Sequence, residues 1–514
     1  MRTAATALRL GLLDDSEFYP HAFSRPDWPA ILEQRRKHPA KLAPQKLAEG
    51  LQAQYHSQGV PLTQQQEINL QQLAKGAFTV TTGQQPMLFG GPMYMVYKAL
   101  KAVHLCRKLQ EKFPDERFVP IFWIGGEDHD WAEVNHTYGP GFRWVGSKGW
   151  QGGAVGNTHI SAIQNPHGLP LPRWLQATWG QGERWGDAFA RTLHHWLGGF
   201  GILPLQSTSR AFKTVLQPVL EREFLEGSGG RRVFQMSQQL TRAGVRVQAL
   251  PQEGNFFLLG KNSRKRLDPA QAGGGFKQGT NTRLSREKLM EWVNSEPERF
   301  SPNVFFRPLY QELLLPNVAY VGGRGELSYW VQLAGVFREY DTPFPALVER
   351  SSVLLLPHQY DSGQLAATGY SLLQALEPLP LLRRTSRERL WSGFLFDKKA
   401  ARIVEEIRKW EQDYAHLNES VARSIAGTAT DVENRLLSLK ERISRTYLQQ
   451  MGSNYRYLWQ WRQHTQPNGS PQERLLNPGL LFGEKINEQI DWLANAIDYD
   501  ETQLQVIRIA PPDA

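Results

Sequence analysis

At 514 residues, with 40% apolar side chains, 16 Trp, 16 Tyr and 24 Phe, the chain is too long for one compact core and too apolar for disorder, so two to four structural units are expected. A single cysteine, Cys106, excludes an intrachain disulfide and the paired-thiolate zinc sites of several synthetases, so no zinc and a reducing cytoplasm are expected. The net charge of +9 suits anionic partners, but the basic residues are spread along helices rather than gathered in one arm, which argues against nucleic acid.

The apolar run in Met1–Leu13 is too short and interrupted for a signal peptide, and no run approaches the ~20 residues of a spanning helix, so no membrane partner is expected. Residues 15–75 read as polar helices broken at Pro26, Pro29, Pro39 and Pro44. The first strand is predicted at Ala77–Thr82, followed by a glycine-containing loop and, from Pro92 to about Leu109, a helix with Val96, Leu100 and Val103 on one face. Cys106 falls on this helix and reads as a buried, inert thiol. A second strand starts at Phe118, which makes a βαβ unit with a right-handed crossover. Further strands are predicted at Gly201–Gln206, Val318–Val321 and Ala346–Glu349, with helices over Arg210–Phe224 and Glu326–Tyr340. The alternation predicts an α/β fold with a Rossmann-like parallel sheet.

Two stretches break the pattern and read as insertions that cover or gate the strand ends. One, about 139–190, is rich in Gly and Trp; the other, about 226–300, holds a hairpin around Phe256 and Gly273–Gly275. The densest basic cluster, Lys261–Arg266, falls at the hairpin tip and reads as a solvated turn. From Lys398, Ile403, Ile407, Trp410, Tyr414, Leu417, Val421 and Ile425 recur at coiled-coil spacing, and Val432, Leu436, Leu439, Ile443 and Tyr447 repeat it. Two antiparallel helices turning near Gly427–Thr430 are predicted, with dimerisation through this arm.

Three constellations carry chemistry. In Gly83-Gln-Gln-Pro-Met-Leu-Phe-Gly-Gly-Pro92, Gly83 and Gly91 free backbone N–H groups for an anion at a helix start, while Gln84 and Gln85 can hydrogen-bond a nucleotide or carboxylate. Neither a Walker loop nor G-x-G-x-x-G is present. After the Phe118 strand, Gly125-Gly126 lead into Glu127, Asp128, His129, Asp130 and Glu133. Asp130 with Glu133 resembles a helix cap. Glu127, Asp128 and His129 remain crowded at a strand end, where a substrate ammonium or Mg²⁺ would relieve the like charges. His129 is either a general base or a hydrogen-bonding partner. The third is Asn303-Val-Phe-Phe-Arg-Pro308 and Asn317 to Trp330: Gly323 and Gly325 can wrap a ligand, Glu326 and Tyr329 open the next helix, and Arg307 needs a carboxylate or phosphate partner.

Together these blocks, with Gly-Gln-Gln at Gly83, Phe-Trp-Ile-x-Gly-Glu-Asp-His-Asp at Phe122–Asp130, and Arg-Pro-Leu-x-Gln-Glu at Arg307 running to Tyr329-Trp330, closely resemble the family assigned as cysteine ligases of bacillithiol biosynthesis, the BshC family. The resemblance covers nearly the whole chain. It implies a Rossmann-like core in 1–138, 191–225 and 301–395, insertions at 139–190 and 226–300, an antiparallel coiled-coil arm at 396–466 forming a homodimer, and a segment at 467–514 packed on the core. The implied substrates are L-cysteine and glucosaminyl-malate, joined as an amide after carboxyl activation, with ATP as the expected donor and Mg²⁺ a possible companion. The implied catalytic set is Glu127, Asp128 and His129; the implied binding set is Gly83, Gln84, Gln85, Gly91, Asp130, Arg307, Gly323, Gly325, Glu326 and Tyr329. A nucleotide-dependent transferase acting on another small amine, or a non-catalytic coiled-coil assembly protein, are the alternatives.

Overall fold

The computed structural model describes residues 2–9, 21, 25–140, 142–146, 150, 152–161, 163–164, 171–270, 275–278, 282–357, 363, 365, 371, 392–414, 419–450 and 453–509. By its internal contacts the chain forms two units, Met1–Val353 with Glu473–Gln505, and Leu354–Gln472 with Val506–Ala514.

In the first unit, strand β1 (Phe78–Gln84) leads through the glycine loop to helix α1 (Tyr94–Lys112), then to β2 (Phe118–Ile124). Helix α2 (Trp185–Leu197) precedes β3 (Leu203–Gln206). A hairpin, β4 (Phe256–Gly260) and β5 (Ser263–Pro269), is followed by helix α3 (Phe306–Leu314), β6 (Asn317–Gly322), helix α4 (Arg324–Trp330) and β7 (Ala346–Glu349). The central sheet has the order β7-β6-β1-β2-β3, and every pair is parallel. The near-continuous apolar run of β2 is what a strand covered on both faces requires. Alternate residues supply different cores: Val119, Ile121 and Trp123 join one cluster, Phe118 the other. Each fully buried side chain of this size contributes about 1.5–3 kcal/mol.

The order reverses between β1 and β6. In open α/β sheets the crevice beyond the strands' C-terminal ends at such a switch point is where ligands bind. The hairpin belongs to an antiparallel sheet of five strands, and His136–Gly139, Phe142–Gly146 and Ile163–Gln164 form a smaller antiparallel sheet. Buried Arg35, from the helix Trp28–Lys37, ties the N-terminal region to Glu312 at 2.6 Å.

Three expectations are corrected. The Glu326–Tyr340 segment is not one helix: α4 passes through a 3-10 turn at Val331–Leu333 into Ala334–Glu339. The Arg210–Phe224 segment is not one helix: Arg210–Lys213 passes through a 3-10 turn at Thr214–Leu216 into Gln217–Leu225. Pro218 has no N–H to continue an α-helical ladder across the join, but it suits the first turn of the next helix. In the second unit, Ser392–Tyr414 and Glu419–Gln450 are helices, and the latter runs unbroken through Gly427. A lone glycine costs a helix only about 1 kcal/mol. Thr428 and Thr430 moreover turn their hydroxyls back onto Ser424 and Ala426 carbonyls instead of opening a turn. Asp397–Lys440 at 2.7 Å and Arg408–Glu433 at 3.3 Å place the two helices antiparallel. Val404 and Ala429 are buried, whereas Ile403, Trp410 and Tyr414 are about half exposed. Leu417 and the side chains of Ile443 and Tyr447 lie outside the described residues. No described helix is long and apolar enough to cross a membrane.

Cys106 is buried on α1, and burial pushes its thiol well above the ordinary range. An aromatic disulfide reagent should therefore label it only after unfolding. Rapid labelling of the native protein would contradict this placement.

Candidate active site

A cavity of about 420 Å³ opens at the C-terminal ends of β1, β2 and β6. Of the residues singled out from the sequence, it brings together Gly83, Gln84, Gln85, Glu127, Asp128, Arg307, Glu326 and Tyr329. Trp123, Ser207, Asn303, Tyr310 and Tyr320 complete its walls, and Arg264 and Phe257 enter from the hairpin.

The two strand-end acids do not await a cation, because the chain supplies one to each. Glu127 Oε1 lies 2.5 Å from Lys213 Nζ, and this lysine is fully buried, donates to the Phe300 carbonyl at 2.8 Å and faces the Tyr310 ring. Burial pulls the Lys213 pKa down, and the charge of Glu127 opposes it. Asp128 receives Gln85 Nε2 on Oδ2 at 2.5 Å, and on Oδ1 the backbone N–H of His129 at 2.7 Å and Arg264 Nη1 at 3.4 Å. Burial alone would raise Asp128, but hydrogen bonds from His129 and Gln85 and the charge of Arg264 hold it well below the usual carboxylate range. The crowding of like charges read from the sequence, which a substrate ammonium or Mg²⁺ would relieve, is already offset by Lys213 and Arg264.

Arg264 also corrects the solvated-turn expectation for its own position. On β5 alternate side chains face opposite ways, and Arg264 turns inward over Phe257, 3.7 Å from the ring centroid. It binds Ser301 Oγ at 3.2 Å, the Pro302 carbonyl at 3.2 Å and His129 Nδ1 at 2.9 Å. His129 Nδ1 lies 2.9 Å from Arg264 Nη1 and 3.2 Å from Asp128 Oδ1, and its ring is half exposed and outside the cavity lining.

Glu326 caps α4 by accepting from the Gly323 N–H at 3.3 Å, as its spacing allows. The same carboxylate accepts from Lys98 Nζ at 2.8 Å and from the Tyr320 hydroxyl. Lys98 is buried beneath the site and also holds the Gly83 carbonyl at 2.6 Å. Burial lowers its pKa, with Glu326 opposing.

Five predicted residues, His129 among them, are not among those lining the cavity. Gly91 has φ 78 and its carbonyl accepts from Asn477 Nδ2 at 2.8 Å, so it serves the loop's path. Asp130 is exposed and caps Trp131–Val134 through the Glu133 N–H at 3.1 Å. Gly323 supplies its N–H to Glu326, and Gly325 has open space where a side chain would stand. Lys213, Arg264 and Tyr310 were missed because nothing local marks a lone helical lysine, a hairpin arginine or a core tyrosine. Only the register of β5 and the pairing of distant elements reveal them.

Among the described residues, no three His, Cys, Asp or Glu side chains converge as metal ligands, and both strand-end acids are already ion-paired. The donor set therefore does not form a Mg²⁺ site made of protein side chains alone.

Comparison with known proteins places the chain. The family described as "Bacillithiol biosynthesis BshC, N-terminal Rossmann-like domain" matches residues 15–351. Three similar proteins each carry the name "Putative cysteine ligase BshC". That of Cytophaga hutchinsonii is 35% identical over 62% of this chain and 60% of its own length. Those of Christiangramia forsetii and Flavobacterium psychrophilum are 28% identical over 84% and 87% of this chain, spanning 83% and 87% of theirs.

Proposed function

Because the chain belongs to the BshC family, we propose that it is a cysteine ligase of bacillithiol biosynthesis, joining the carboxyl of L-cysteine to the free amine of glucosaminyl-malate in this cavity. The observation that carries the reading is the division of labour at the strand end. Glu127 has Oε1 fixed by Lys213, while no hydrogen bond engages its Oε2 among the described residues, so one carboxylate oxygen remains for an ammonium. Asp128 is consumed in holding Gln85, His129 and Arg264, and so shapes the wall. A cavity of about 420 Å³ lies within the size range of small-molecule sites.

A carboxylate does not acylate an amine until an oxygen becomes a leaving group, and ATP, when bound, supplies that activation. The chain's own residues bind and orient. Glu127 receives the attacking amine and stands where its proton leaves. Arg307 and Arg264 face the cavity as oxyanion receptors for malate, phosphate or the activated carboxyl. The Gly83–Gln85 backbone is set by Lys98 beneath it. No step is assigned to Mg²⁺ held by the protein. A small-molecule biosynthetic role agrees with a cytoplasmic setting.

Incubation with cysteine, glucosaminyl-malate and ATP with Mg²⁺, followed by mass analysis, should yield an ATP-dependent amide. Amide formed equally without ATP would overturn the activation, and AMP without amide would point to a missing partner.

The same reading includes a homodimer through Ser392–Tyr414 and Glu419–Gln450, supported by the half-exposed Ile403, Trp410 and Tyr414. Ile403→Asp with Trp410→Asp should then shift sedimentation from dimer to monomer. An unchanged dimer would remove this part of the proposal.

A further inference from the structure

Arg307 stands in the first turn of α3 with Gln311 one turn later, so the two side chains meet on one helix face. Arg307 Nη1 donates to Gln311 Oε1 at 3.0 Å. The other end of that amide is also committed, since Gln311 Nε2 donates to Glu312 Oε1 at 2.9 Å. Glu312 in turn receives Asn317 Nδ2 at 2.8 Å and Arg35 Nη2 at 2.6 Å, and all four of these groups are buried.

An arginine guanidinium only donates hydrogen bonds, so it is the carbonyl of Gln311 that must face Arg307. The Gln311 amide therefore has one stable orientation, its NH₂ toward Glu312 and its carbonyl toward Arg307. This fixes one edge of the guanidinium and leaves Nη2 buried without a hydrogen-bond acceptor. Aromatic rings surround the cation: Trp123, Tyr320 and Trp330 have centroids 5.9, 5.7 and 6.0 Å from its central carbon. None of them can replace an anionic oxygen on an N–H donor. A buried, charged donor left without a partner is costly unless a ligand completes it.

We propose that Gln311, locked by Glu312, is the positioning residue that turns Nη2 of Arg307 toward an oxyanion of the bound ligand. The shared chemistry is a carboxylate or phosphoryl oxygen. The inference deepens the ligase reading and rests on it only for the choice of malate as the carboxylate probe.

The test is calorimetric titration of the full-length protein with L-malate and, separately, inorganic phosphate. Arg307→Met should weaken the preferred anion at least about tenfold, as loss of a charge-assisted bond requires. Gln311→Met should weaken it roughly threefold to tenfold in a protein that still unfolds cooperatively, at a lowered midpoint. Gln311→Glu should weaken it further, because a carboxylate at this position competes with the ligand for the guanidinium. A merely structural glutamine would not rank the two variants in this order. Whichever anion binds tighter to the native protein and loses most in Arg307→Met identifies the source.

Binding unchanged in Arg307→Met and Gln311→Met, equal binding by Gln311→Glu and Gln311→Met, or no uptake of either anion by the native protein would each overturn the inference. If L-malate behaves as expected but glucosaminyl-malate is neither bound nor converted, the ligase reading fails and this inference stands.

Discussion

Replacement of Lys213 by methionine is expected to destabilise the unit built on the parallel sheet by about 3–5 kcal/mol, the cost of removing one partner from a buried ion pair. Lys213 is fully buried and the Glu127 side chain 11% exposed, so neither charge is well screened by water. Without the lysine, the Glu127 carboxyl is left beside the Tyr310 ring and the Trp123 wall with no cation at 2.5 Å. Adding Glu127→Gln to Lys213→Met should recover part of the loss, because the neutral amide no longer needs a counter-charge. Urea unfolding followed by a probe in this unit measures both. A single variant as stable as the native protein, or two losses that simply add, would show that the pair does not couple as its geometry says.

Replacement of Arg264 by leucine is expected to lower ligase turnover about 10- to 100-fold, the range for losing a hydrogen bond to a charged group. It should also give activity an acid limb that the native enzyme lacks. The sign follows from Asp128. Its folded pKa lies below its unfolded value, so its ionised form, and the stability this carries, persist above the ordinary carboxylate range and are lost only at strongly acid pH. Between pH 5 and pH 9, roughly, Asp128 therefore does not titrate in the native protein. Burial already pushes the other way, and removing Arg264 leaves the hydrogen bonds from His129 and Gln85 to oppose it alone. The pKa then rises, and protonation releases Gln85 as pH falls. Arg264→Lys, which keeps the charge but not the fork that spans Ser301, Pro302 and His129, should retain the flat profile with reduced turnover. A Leu variant with native turnover and a flat profile would remove the hairpin from the site.

The five strands of the sheet were legible in the sequence because each holds a short apolar run ended by glycine or polar residues, and β1, β2 and β6 are also rich in β-branched or aromatic residues. The place of the cavity followed from the same signal, since β2 ends where the acids begin. What stayed hidden was the partner of each acid. Lys213 lies 86 positions beyond Glu127, and Arg264 136 beyond Asp128, so no local spacing connects them. The residue types were visible but their pairing was not, and pairing decides whether a carboxylate is a receptor or a fixed wall. Helix breaks failed for a related reason. Gly427 looked like a turn on propensity, yet the packed antiparallel helices override a penalty of about 1 kcal/mol. Pro218, conversely, interrupts a segment whose apolar spacing reads as continuous.

The direct test of the account is the bacillithiol content of cells that lack their native copy of the gene and carry this chain. The native chain should restore the thiol, while Glu127→Gln with Asp128→Asn, produced at equal level and folded at the growth temperature, should leave it near the background of the deletion. Full restoration by that doubly substituted chain would contradict catalysis at the end of β2.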